Sequence, residues 1–520
     1  RGNYNESPLP LRERDRVRGE RAIYNFKRQC IEHSLYGVDI DSGAVEIAKL
    51  RLWLSLVVDE DDIKNIKPLP NLDYKIVCGN SLLGVKRDLL NDSLFQDLEK
   101  LKPLYFNETN PTKKQEYKNQ IDDLIIKITN GHKEFDFEVH FSEVFHHKGG
   151  FDVVIANPPY VSVKSISSDD KVILSKEFDT GQGRFNLFTL FLEKGHKLLS
   201  LNGILTFIIP EGIYSHVEYR HTRNYLLNNT AIILINLFSN KVFEAAVDTT
   251  ILSIKNRKDN QGKFCVYRDL SNKVFELNQK LFQEYPFNLF AVNLTSQAFN
   301  IIDRFIKNKS FDILENVLEI QQGIIYSGQP KNKVFANFPK DKTFKKVLDG
   351  RDILKWRINW DNKIDNKYIS YTAKLHRPRE ERLFIGKEKI LLPRKSTKIS
   401  CAYDTEQYYA LNTAYICLLT NNDYHLKFIL SLLNSKFINF FYSSLFLGWQ
   451  ITIPALNALP IKKLENDQQQ PFITLVDQIL AAKKKDPNAD TSALERQIDK
   501  MVYELYGLTP EEIEIVEGKK

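Results

Sequence analysis

Residues 151–160 read Phe151-Asp152-Val153-Val154-Ile155-Ala156-Asn157-Pro158-Pro159-Tyr160. The short apolar run predicts a buried strand, and the next four residues place an amide, two prolines and an aromatic ring at the strand's end. Ligands of open α/β sheets bind at the carboxyl ends of strands, so the stretch predicts a sheet of that class with a site at its edge. A Pro-Pro turn after a core strand is the simpler alternative.

The residues at this strand end suit a planar amine, such as the N6 group of adenine. The lone pair of such an amine is delocalised into the ring, and a site that accepts hydrogen bonds from both N–H groups localises it. Asn157 offers a side-chain oxygen, and Pro158 offers a carbonyl without a competing N–H. Tyr160 offers a face on which a base can stack. The stretch therefore predicts chemistry on the amino group of a base.

With these residues the sequence resembles the amino-methylating DNA methyltransferases that carry an Asn-Pro-Pro-Tyr motif, specifically the adenine-N6 branch of type IIG restriction–modification enzymes. The resemblance implies that S-adenosyl-L-methionine is the cofactor and that duplex DNA is the partner, with the target base flipped out of the helix. It implies a catalytic set of Asn157, Pro158, Pro159 and Tyr160. Phe243, in Lys241-Val242-Phe243-Glu244, resembles the second aromatic that stacks on the base, and its simpler reading is a core residue.

The resemblance also implies a cofactor site at the ends of two earlier predicted strands. Asp39 is expected to bind the ribose hydroxyls of S-adenosylmethionine. Asn80 is expected to bind its adenine, with Ser81 as a weaker neighbour. Family members commonly have Asp at the position of Asn80, and Asn keeps an acceptor but loses the charge. Asp41 is predicted to be a helix N-cap without a ligand.

Strand alternating with helix predicts an α/β fold with a doubly wound, Rossmann-like methyltransferase sheet. A mixed α/β target-recognition domain and C-terminal helices are expected to follow it. Predicted strands cover Leu35–Ile40, Leu72–Cys78, Phe151–Ala156, Gly203–Pro210, Ile232–Phe238 and Thr249–Ile254, and predicted helices include Ala44–Val58, Phe185–Leu199 and Phe428–Tyr442. Four domains are predicted: a polar N-terminal segment (1–34), a methyltransferase domain (35–300) with a helical insertion (84–148), a DNA target-recognition domain (301–465) and a helical hairpin (466–520). Glu465–Gln470 is the predicted linker before the hairpin.

Charge is concentrated in one part of the chain. The 520 residues carry a net charge of +7, whereas residues 331–400 hold 20 Lys or Arg against 8 Asp or Glu, a net +12. A basic patch interleaved with aromatic residues is typical of a nucleic-acid surface, although a solvated face is the simpler reading. The predicted aromatic residues of this surface are Trp356, Trp360, Tyr368 and Tyr371, and the predicted DNA contacts are Arg377, Arg379, Arg394 and Lys395.

Composition excludes several classes of protein. No apolar run reaches the length of a membrane span, so no membrane partner is expected. Five widely spaced cysteines give neither a disulfide framework nor paired metal ligands, which favours a reducing cytoplasm. With the resemblance this implies a DNA-associated protein of the prokaryotic cytoplasm. No metal site is predicted, because the adjacent His146 and His147 indicate loop surface.

One element of the family is missing upstream of Asp39. The family carries a Gly-rich loop there that wraps the methionine end of the cofactor, yet the only glycines before Gly37 are Gly2 and Gly19. No nuclease constellation is found in residues 1–520, and the sequence begins with Arg1 rather than Met. We therefore expect an upstream segment, or a partner chain, to supply the loop, a central strand and a nuclease. The chain alone is expected to be inactive.

Two alternatives to site-specific adenine methylation of DNA stay open. The first is methylation of another planar amine, in a protein glutamine or an RNA base. The second is a DNA-recognition fragment without activity, because its cofactor loop is absent. Cofactor binding distinguishes the fragment from the enzyme, and substrate screening distinguishes the two methylation reactions.

Overall fold

A computed structural model of the chain describes residues 23–58, 71–83, 92–129, 135–243, 247–257, 262–326, 330–361, 367–372 and 375–519. The fold is α/β, as the alternation of strand and helix predicted. The chain divides into two compact units, the first made of 1–207 with 253–257 and the second of 208–252 with 258–520. The predicted domain boundaries differ from this division and stay predictions. Within the described parts of the chain, no helix has both the length and the apolar character needed to cross a bilayer.

The amino-terminal half alternates between helices and strands. The helices are α1 (23–33), α2 (Ser42–Val57), α3 (Asp92–Asn107), α4 (Pro111–Ile128), α5 (Phe137–His140), α6 (Ser142–Lys148), α7 (Ser168–Glu177), α8 (Leu187–Lys197) and α9 (Arg220–Asn229). The strands are β1 (Gly37–Asp39), β2 (Ile76–Cys78), β3 (Phe151–Ala156), β4 (Leu199–Pro210), β5 (Ala231–Leu237), β6 (Thr249–Lys255), β7 (Lys263–Arg268) and β8 (Asn272–Asn278). Each predicted strand and helix of this half exists, with bounds shifted by a few residues.

Six of these strands form one sheet in the order β3-β4-β6-β5-β7-β8. β3 pairs with β4 in parallel, with Ala156 opposite Phe207, and β5 pairs with β7 in parallel. β7 and β8 are antiparallel. β1 and β2 form a separate parallel pair, with Asp39 opposite Cys78. The parallel pairs place the carboxyl ends of β1 and β2 side by side, and those of β3 and β4 likewise.

Two glycines join the end of α6 to the start of β3. Gly149 ends the helix in the left-handed region, with φ of 70°, and Gly150 follows with φ of 143°. A Cβ on Gly150 would lie 2.6 Å from the carbonyl oxygen of Leu198 and 2.6 Å from the backbone nitrogen of Ser200. Glycine is therefore required for β3 to lie this close to β4.

The prediction that β3 is a buried strand is wrong. None of its six residues is fully buried, and Val153 and Ile155 are 61% and 75% exposed. These two side chains lie two positions apart and share one face of the strand. β3 is an edge strand of the six-stranded sheet, so its outer backbone groups have no strand beside them among the described residues.

The predicted insertion 84–148 contains four helices, α3 to α6, and its residues 84–91 and 130–134 lie outside the described ones. Its bounds stay predictions. α3 and α4 are the two long helices of this insertion. Their apolar faces enclose a core of their own, which includes Leu98, Tyr105 and Ile121. The insertion is therefore a folded part of the first unit.

The carboxyl-terminal half contains short strands followed by helices. The strands are β9 (Asp312–Ile313), β10 (Leu318–Gln322), β11 (Phe335–Ala336), β12 (Phe344–Leu348), β13 (Ile353–Leu354), β14 (Arg357–Ile358), β15 (Tyr368–Ser370), β16 (Lys389–Pro393), β17 (Ala402–Asp404), β18 (Tyr409–Ala410), β19 (Ala414–Leu419) and β20 (Pro460–Ile461). The helices are α10 (Ser296–Lys307), α11 (Lys331–Val334), α12 (Arg382–Ile385), α13 (Leu426–Leu433), α14 (Lys436–Leu445), α15 (Ile453–Asn457), α16 (Asn466–Lys485), α17 (Ser492–Tyr506) and α18 (Pro510–Val516). Two four-stranded sheets result, in the orders β10-β19-β16-β17 and β11-β15-β12-β18.

Two predictions in this half are wrong. The single helix expected over Phe428–Tyr442 is two helices, because Asn434 ends α13 and Ser435 caps α14. The expected linker Glu465–Gln470 is the first turn of α16. Glu465 caps that helix through a capping box, and Gln469 is fully buried, with its amide bound to backbone groups.

Candidate active site and nucleic-acid interface

The Asn-Pro-Pro-Tyr segment leaves the carboxyl end of β3 and is anchored to the start of α8. The backbone N–H of Leu187 donates to the carbonyl of Val161 at 2.9 Å, and that of Val163 donates to the carbonyl of Phe185 at 3.1 Å. Pro158 is buried, whereas Asn157 is exposed. The segment is therefore held in place while the Asn157 amide faces solvent at the edge of the sheet.

Tyr160 contacts Asn157 directly. The Tyr160 hydroxyl donates to Oδ1 of Asn157 at 2.9 Å. The Tyr160 ring meets the buried ring of Phe188 edge to face, with centroids 6.2 Å apart. Partial burial raises the pKa of the Tyr160 phenol, so the group stays a neutral donor at ordinary pH. The hydroxyl thus donates to the amide oxygen that the sequence predicts as the acceptor for a base amine.

The end of β1 presents two carboxylates with different roles. Oδ1 of Asp41 accepts from the backbone N–H groups of Gly43 and Ala44 at 2.6 and 3.1 Å, which confirms it as the N-cap of α2. Asp39 is exposed, and its Oδ1 accepts from the backbone N–H of Asp41 at 2.9 Å. Hydroxyl groups are suitable donors to such an exposed carboxylate. The ribose-binding role of Asp39 stays a prediction.

Asn80 follows β2, on the neighbouring strand end. Its Oδ1 accepts from the backbone N–H groups of Leu82 and Leu83 at 2.9 and 3.3 Å. The acceptor that the sequence assigned to the cofactor's adenine is therefore engaged in a local turn, and the Nδ2 group is the part left to meet a ligand. Ser81 lies within the same turn. The roles of Asn80 and Ser81 stay predictions.

A cavity of about 610 Å³ lies in the first unit at the amino ends of β1, β2 and β3, away from the strand ends that carry the predicted site. Lys75 and Lys102 line it. Lys102 donates to Glu143 at 2.9 Å, and burial lowers the pKa of Lys75 to about 8. Beside it, His146 and His147 lie in the last turn of α6, not in a loop as predicted, and both contact the Glu99 carboxylate.

Phe243 lies in the second unit, where it is 40% exposed. Residues 244–246, which follow it, lie outside the described ones. The exposure does not fit the simpler reading of Phe243 as a core residue. Its role in stacking on a target base stays a prediction.

Three of the four predicted DNA contacts, Arg377, Arg379 and Arg394, make hydrogen bonds at one end of the β10-β19-β16-β17 sheet. The backbone of Arg377 pairs with that of Ile325 in both directions, at 3.0 and 3.1 Å. Arg379 donates from Nε to the carbonyl of Gly323 at 3.3 Å, and burial together with Arg377 lowers the pKa of its guanidinium. Arg394 follows β16, and Lys395 is exposed beside it.

A turn at Asn412, which the sequence did not single out, links these residues. The backbone N–H of Asn412 donates to the carbonyl of Ile324 at 2.9 Å. Its carbonyl accepts from Nε2 of Gln322 at 2.7 Å and from Nη1 of Arg394 at 3.4 Å. The contacts join positions up to 90 residues apart, so no local pattern in the sequence could have shown them.

The four aromatic residues of the basic segment are buried or half-buried. Trp356 is 2% exposed, and Trp360 and Tyr371 pack against the core of this region. Trp360 meets Tyr368 edge to face at 5.6 Å. The prediction that Trp356 forms part of a DNA surface is therefore wrong. Trp360, Tyr368 and Tyr371 are half-buried, and their place on that surface stays a prediction.

Comparison with known proteins identifies two regions of the chain. Residues 33–243 match the family described as Eco57I restriction-modification methylase, and residues 345–461 match the TaqI-like C-terminal specificity domain. A Methanocaldococcus jannaschii protein named for a type II restriction enzyme and methyltransferase is 25% identical, over 94% of this chain and 49% of its own length. The type II restriction enzyme and methyltransferase RM.Eco57I of Escherichia coli is 23% identical, over 47% of this chain and 21% of its own.

Among solved structures, the ATP-dependent type ISP restriction-modification enzyme LlaBIII bound to DNA shares the fold, with a TM-score of 0.50 and 10% identity over 89% of this chain and 36% of that one. The chain spans about half the length of the M. jannaschii relative and a fifth of RM.Eco57I. Residues 33–243 thus form an Eco57I-like restriction-modification methylase domain, and residues 345–461 form a TaqI-like specificity domain.

Proposed function

We propose that this chain is the methylating and sequence-recognising part of a type IIG restriction–modification enzyme, and that it methylates adenine N6 in duplex DNA. The observation that carries the proposal is the pair Asn157–Tyr160, at an exposed strand end inside the methylase domain. S-adenosylmethionine, when bound, would supply the methyl group as a sulfonium. Groups in this chain would hold and orient the target amine.

In the proposed reaction, Asn157 and the Pro158 carbonyl accept hydrogen bonds from the two N–H groups of the target amine. The amide oxygen has two lone pairs, so the amine can share it with the Tyr160 hydroxyl or displace that hydroxyl. Two accepted hydrogen bonds turn the nitrogen lone pair away from the ring. The Tyr160 ring and, in the proposal, Phe243 stack on the base. Pro158 is buried, and its packed ring limits the movement of the backbone that carries the carbonyl.

Asp39 is the residue best suited to bind the cofactor, because its carboxylate is exposed at the end of β1. Asn80 would contribute its amide group from the end of β2. The two strands pair in parallel with Asp39 opposite Cys78, which puts these two ends side by side. The methionine end of the cofactor has no Gly-rich turn in this sequence, so we propose that a further segment or a partner chain supplies it.

The experiment uses the protein encoded by the full gene, expressed in a host without adenine methylation. Nucleoside mass spectrometry of host DNA is expected to detect N6-methyladenine for the wild type and none for Asn157→Ala. Asn119→Ala is the matched control, because Asn119 is an exposed Asn on α4, and it should methylate like the wild type. Methylation retained in Asn157→Ala, or N4-methylcytosine in place of the adenine product, would refute the proposal.

Assays with other substrates distinguish two alternative functions: methylation of a different planar amine, and DNA recognition without methylation. If the full-length protein methylates RNA or glutamine peptides but not DNA, the site acts on a different planar amine. If it binds DNA and methylates nothing, the chain is a recognition fragment. The open edge of β3 is the observation that favours the fragment, because it leaves the methylase sheet incomplete among the described residues.

A further inference from the structure

Trp449 is a large aromatic side chain on the surface of the specificity domain. It is 67% exposed, in the segment 447–450 between α14 and α15. The other tryptophans among the described residues are half-buried or buried, and Trp356 is 2% exposed. Tryptophan offers a large, rigid aromatic face, so an exposed Trp449 is available for stacking if its surroundings provide a partner for it.

The segment that carries Trp449 is fixed at both ends. The backbone N–H of Phe446 donates to the carbonyl of Tyr442 at 2.9 Å. Ile451 is fully buried, and its N–H donates to the carbonyl of Arg394 at 2.8 Å while its own carbonyl accepts from the Tyr415 hydroxyl at 2.9 Å. The segment that carries Trp449 is therefore anchored at Ile451, two residues away. This anchoring lowers the conformational entropy that the segment loses when Trp449 binds a partner.

The residue next to Trp449 in the chain contacts an arginine. This neighbour, Gln450, accepts from Nη2 of Arg394 at 3.2 Å. Lys395, the residue after Arg394, is exposed. Arg377 lies at the same end of the sheet, because its backbone pairs with that of Ile325 and the neighbouring Ile324 carbonyl accepts from the N–H of Asn412. An apolar protein partner would need the ring but not these charges, whereas a nucleic acid offers phosphates to the charges and a base face to the ring.

We propose that Trp449 stacks on a base face in an opened step of duplex DNA, while the arginines beside it hold the flanking phosphates. The proposal rests on the proposed function, because methylation of a base amine inside a duplex requires the base to leave the stack and so opens a step. Apolar side chains that enter such steps are a known means of holding deformed DNA. Trp449 lies outside the basic segment 331–400 and is an additional DNA-positioning residue.

The test needs no knowledge of the recognition sequence. The full chain is titrated with a mixed-sequence 30-base-pair duplex and with the same duplex carrying one abasic site, and binding is followed by fluorescence anisotropy. The abasic site provides a gap in the stack. The wild type is expected to prefer the abasic duplex by about tenfold, which is the size that one aromatic stacking contact gives. Trp449→Ala should reduce that preference to within about twofold, and Trp449→Phe should keep most of it.

Phe338→Ala is the matched control, because Phe338 is 68% exposed in the same unit and should leave the preference unchanged. Tryptophan fluorescence should be quenched by the abasic duplex in the wild type and much less in Trp449→Phe. Abasic preference retained in Trp449→Ala, or none in the wild type, would overturn the stacking proposal alone. Binding to neither duplex would overturn the proposed function as well. If Trp449→Ala alters only self-association in sedimentation, the ring contacts protein and the proposal is wrong.

Discussion

At the scale of single residues, the hydrogen bond from Tyr160 to Asn157 separates two contributions of the tyrosine. The ring offers a stacking face, whereas the hydroxyl donates to the oxygen that the target amine would use. Removing the hydroxyl leaves the ring and its contact with Phe188 in place. The two contributions can therefore be measured by substitutions that remove them one at a time.

We predict that Tyr160→Phe in the full-length protein keeps methyl transfer within about tenfold of the wild type, because one neutral hydrogen bond contributes about 0.5–1.5 kcal/mol. Tyr160→Ala should be impaired much more strongly, since it also removes the stacking face, worth about 1–3 kcal/mol per base. Rates of tritiated methyl incorporation into duplex DNA measure both. Equal loss in the two variants would show that the hydroxyl, not the ring, is the essential part.

The structure also distinguishes two residues that the sequence grouped together. Arg394 contacts Gln450 and the Asn412 carbonyl, whereas Lys395 is exposed. We predict that Lys395→Gln lowers the salt dependence of DNA binding by about one phosphate contact and leaves the melting temperature unchanged. Arg394→Gln should lower both. Anisotropy titrations over a series of salt concentrations and thermal unfolding give the two readouts. If the wild type, Lys395→Gln and Arg394→Gln have the same melting temperature and the same salt dependence of DNA binding, Arg394 and Lys395 belong to a solvated surface that does not contact DNA.

At the scale of elements, strand ends and caps could be predicted from the sequence because they are local. Asp41 caps α2 as expected, and β3 covers the predicted residues. The break between α13 and α14 could not be predicted, because it depends on Asn434, whose side chain contacts both the N–H and the carbonyl of the distant Cys401. The burial of Trp356 was missed for a similar reason, since aromatic residues between lysines suit a surface and a core equally well.

A buried ion pair links two strands of the specificity domain. Lys389 of β16 and Asp404 of β17 are fully buried, and Nζ lies 2.6 Å from the Asp404 carboxylate. The amine also donates to the carbonyl of Phe384 at 2.7 Å. Burial lowers the pKa of Lys389, and the carboxylate opposes that effect. The charged lysine thus depends on this one carboxylate.

We predict that Asp404→Asn destabilises the specificity domain by about 3–5 kcal/mol, because it leaves a buried ammonium without its counter-charge. Glu380→Gln is the control, since the Arg382–Glu380 pair is largely exposed and should contribute less than about 1 kcal/mol. Guanidinium unfolding followed by circular dichroism compares the free energies of unfolding. A loss for Asp404→Asn no larger than that for Glu380→Gln would show that Lys389 becomes neutral at little cost.

At the scale of the whole molecule, the first unit exposes both a strand edge and apolar side chains. β3 is an edge strand with Val153 and Ile155 exposed. Among the described residues β1 pairs only with β2, and the Tyr36 ring just before β1 lies 5.6 Å from that of Phe151 at the start of β3. α2 exposes a row of apolar side chains at helical spacing, Ile47, Leu50 and Leu54. Edge strands and apolar rows of this kind suit pairing with a further segment.

We predict that residues 1–520 alone bind S-adenosylmethionine weakly, whereas the protein encoded by the full gene binds it tightly. In the proposed function Asp39 and Asn80 meet the adenosine half, but a Gly-rich turn has to approach the methionine end. The sequence before Gly37 has only two glycines, Gly2 and Gly19, and no Gly-rich stretch. Isothermal titration of both proteins measures the affinities, and Asp39→Ala in the longer protein should abolish the tight site. Tight binding by residues 1–520, abolished by Asp39→Ala, would show that the described strands hold the whole cofactor and that no further segment is needed.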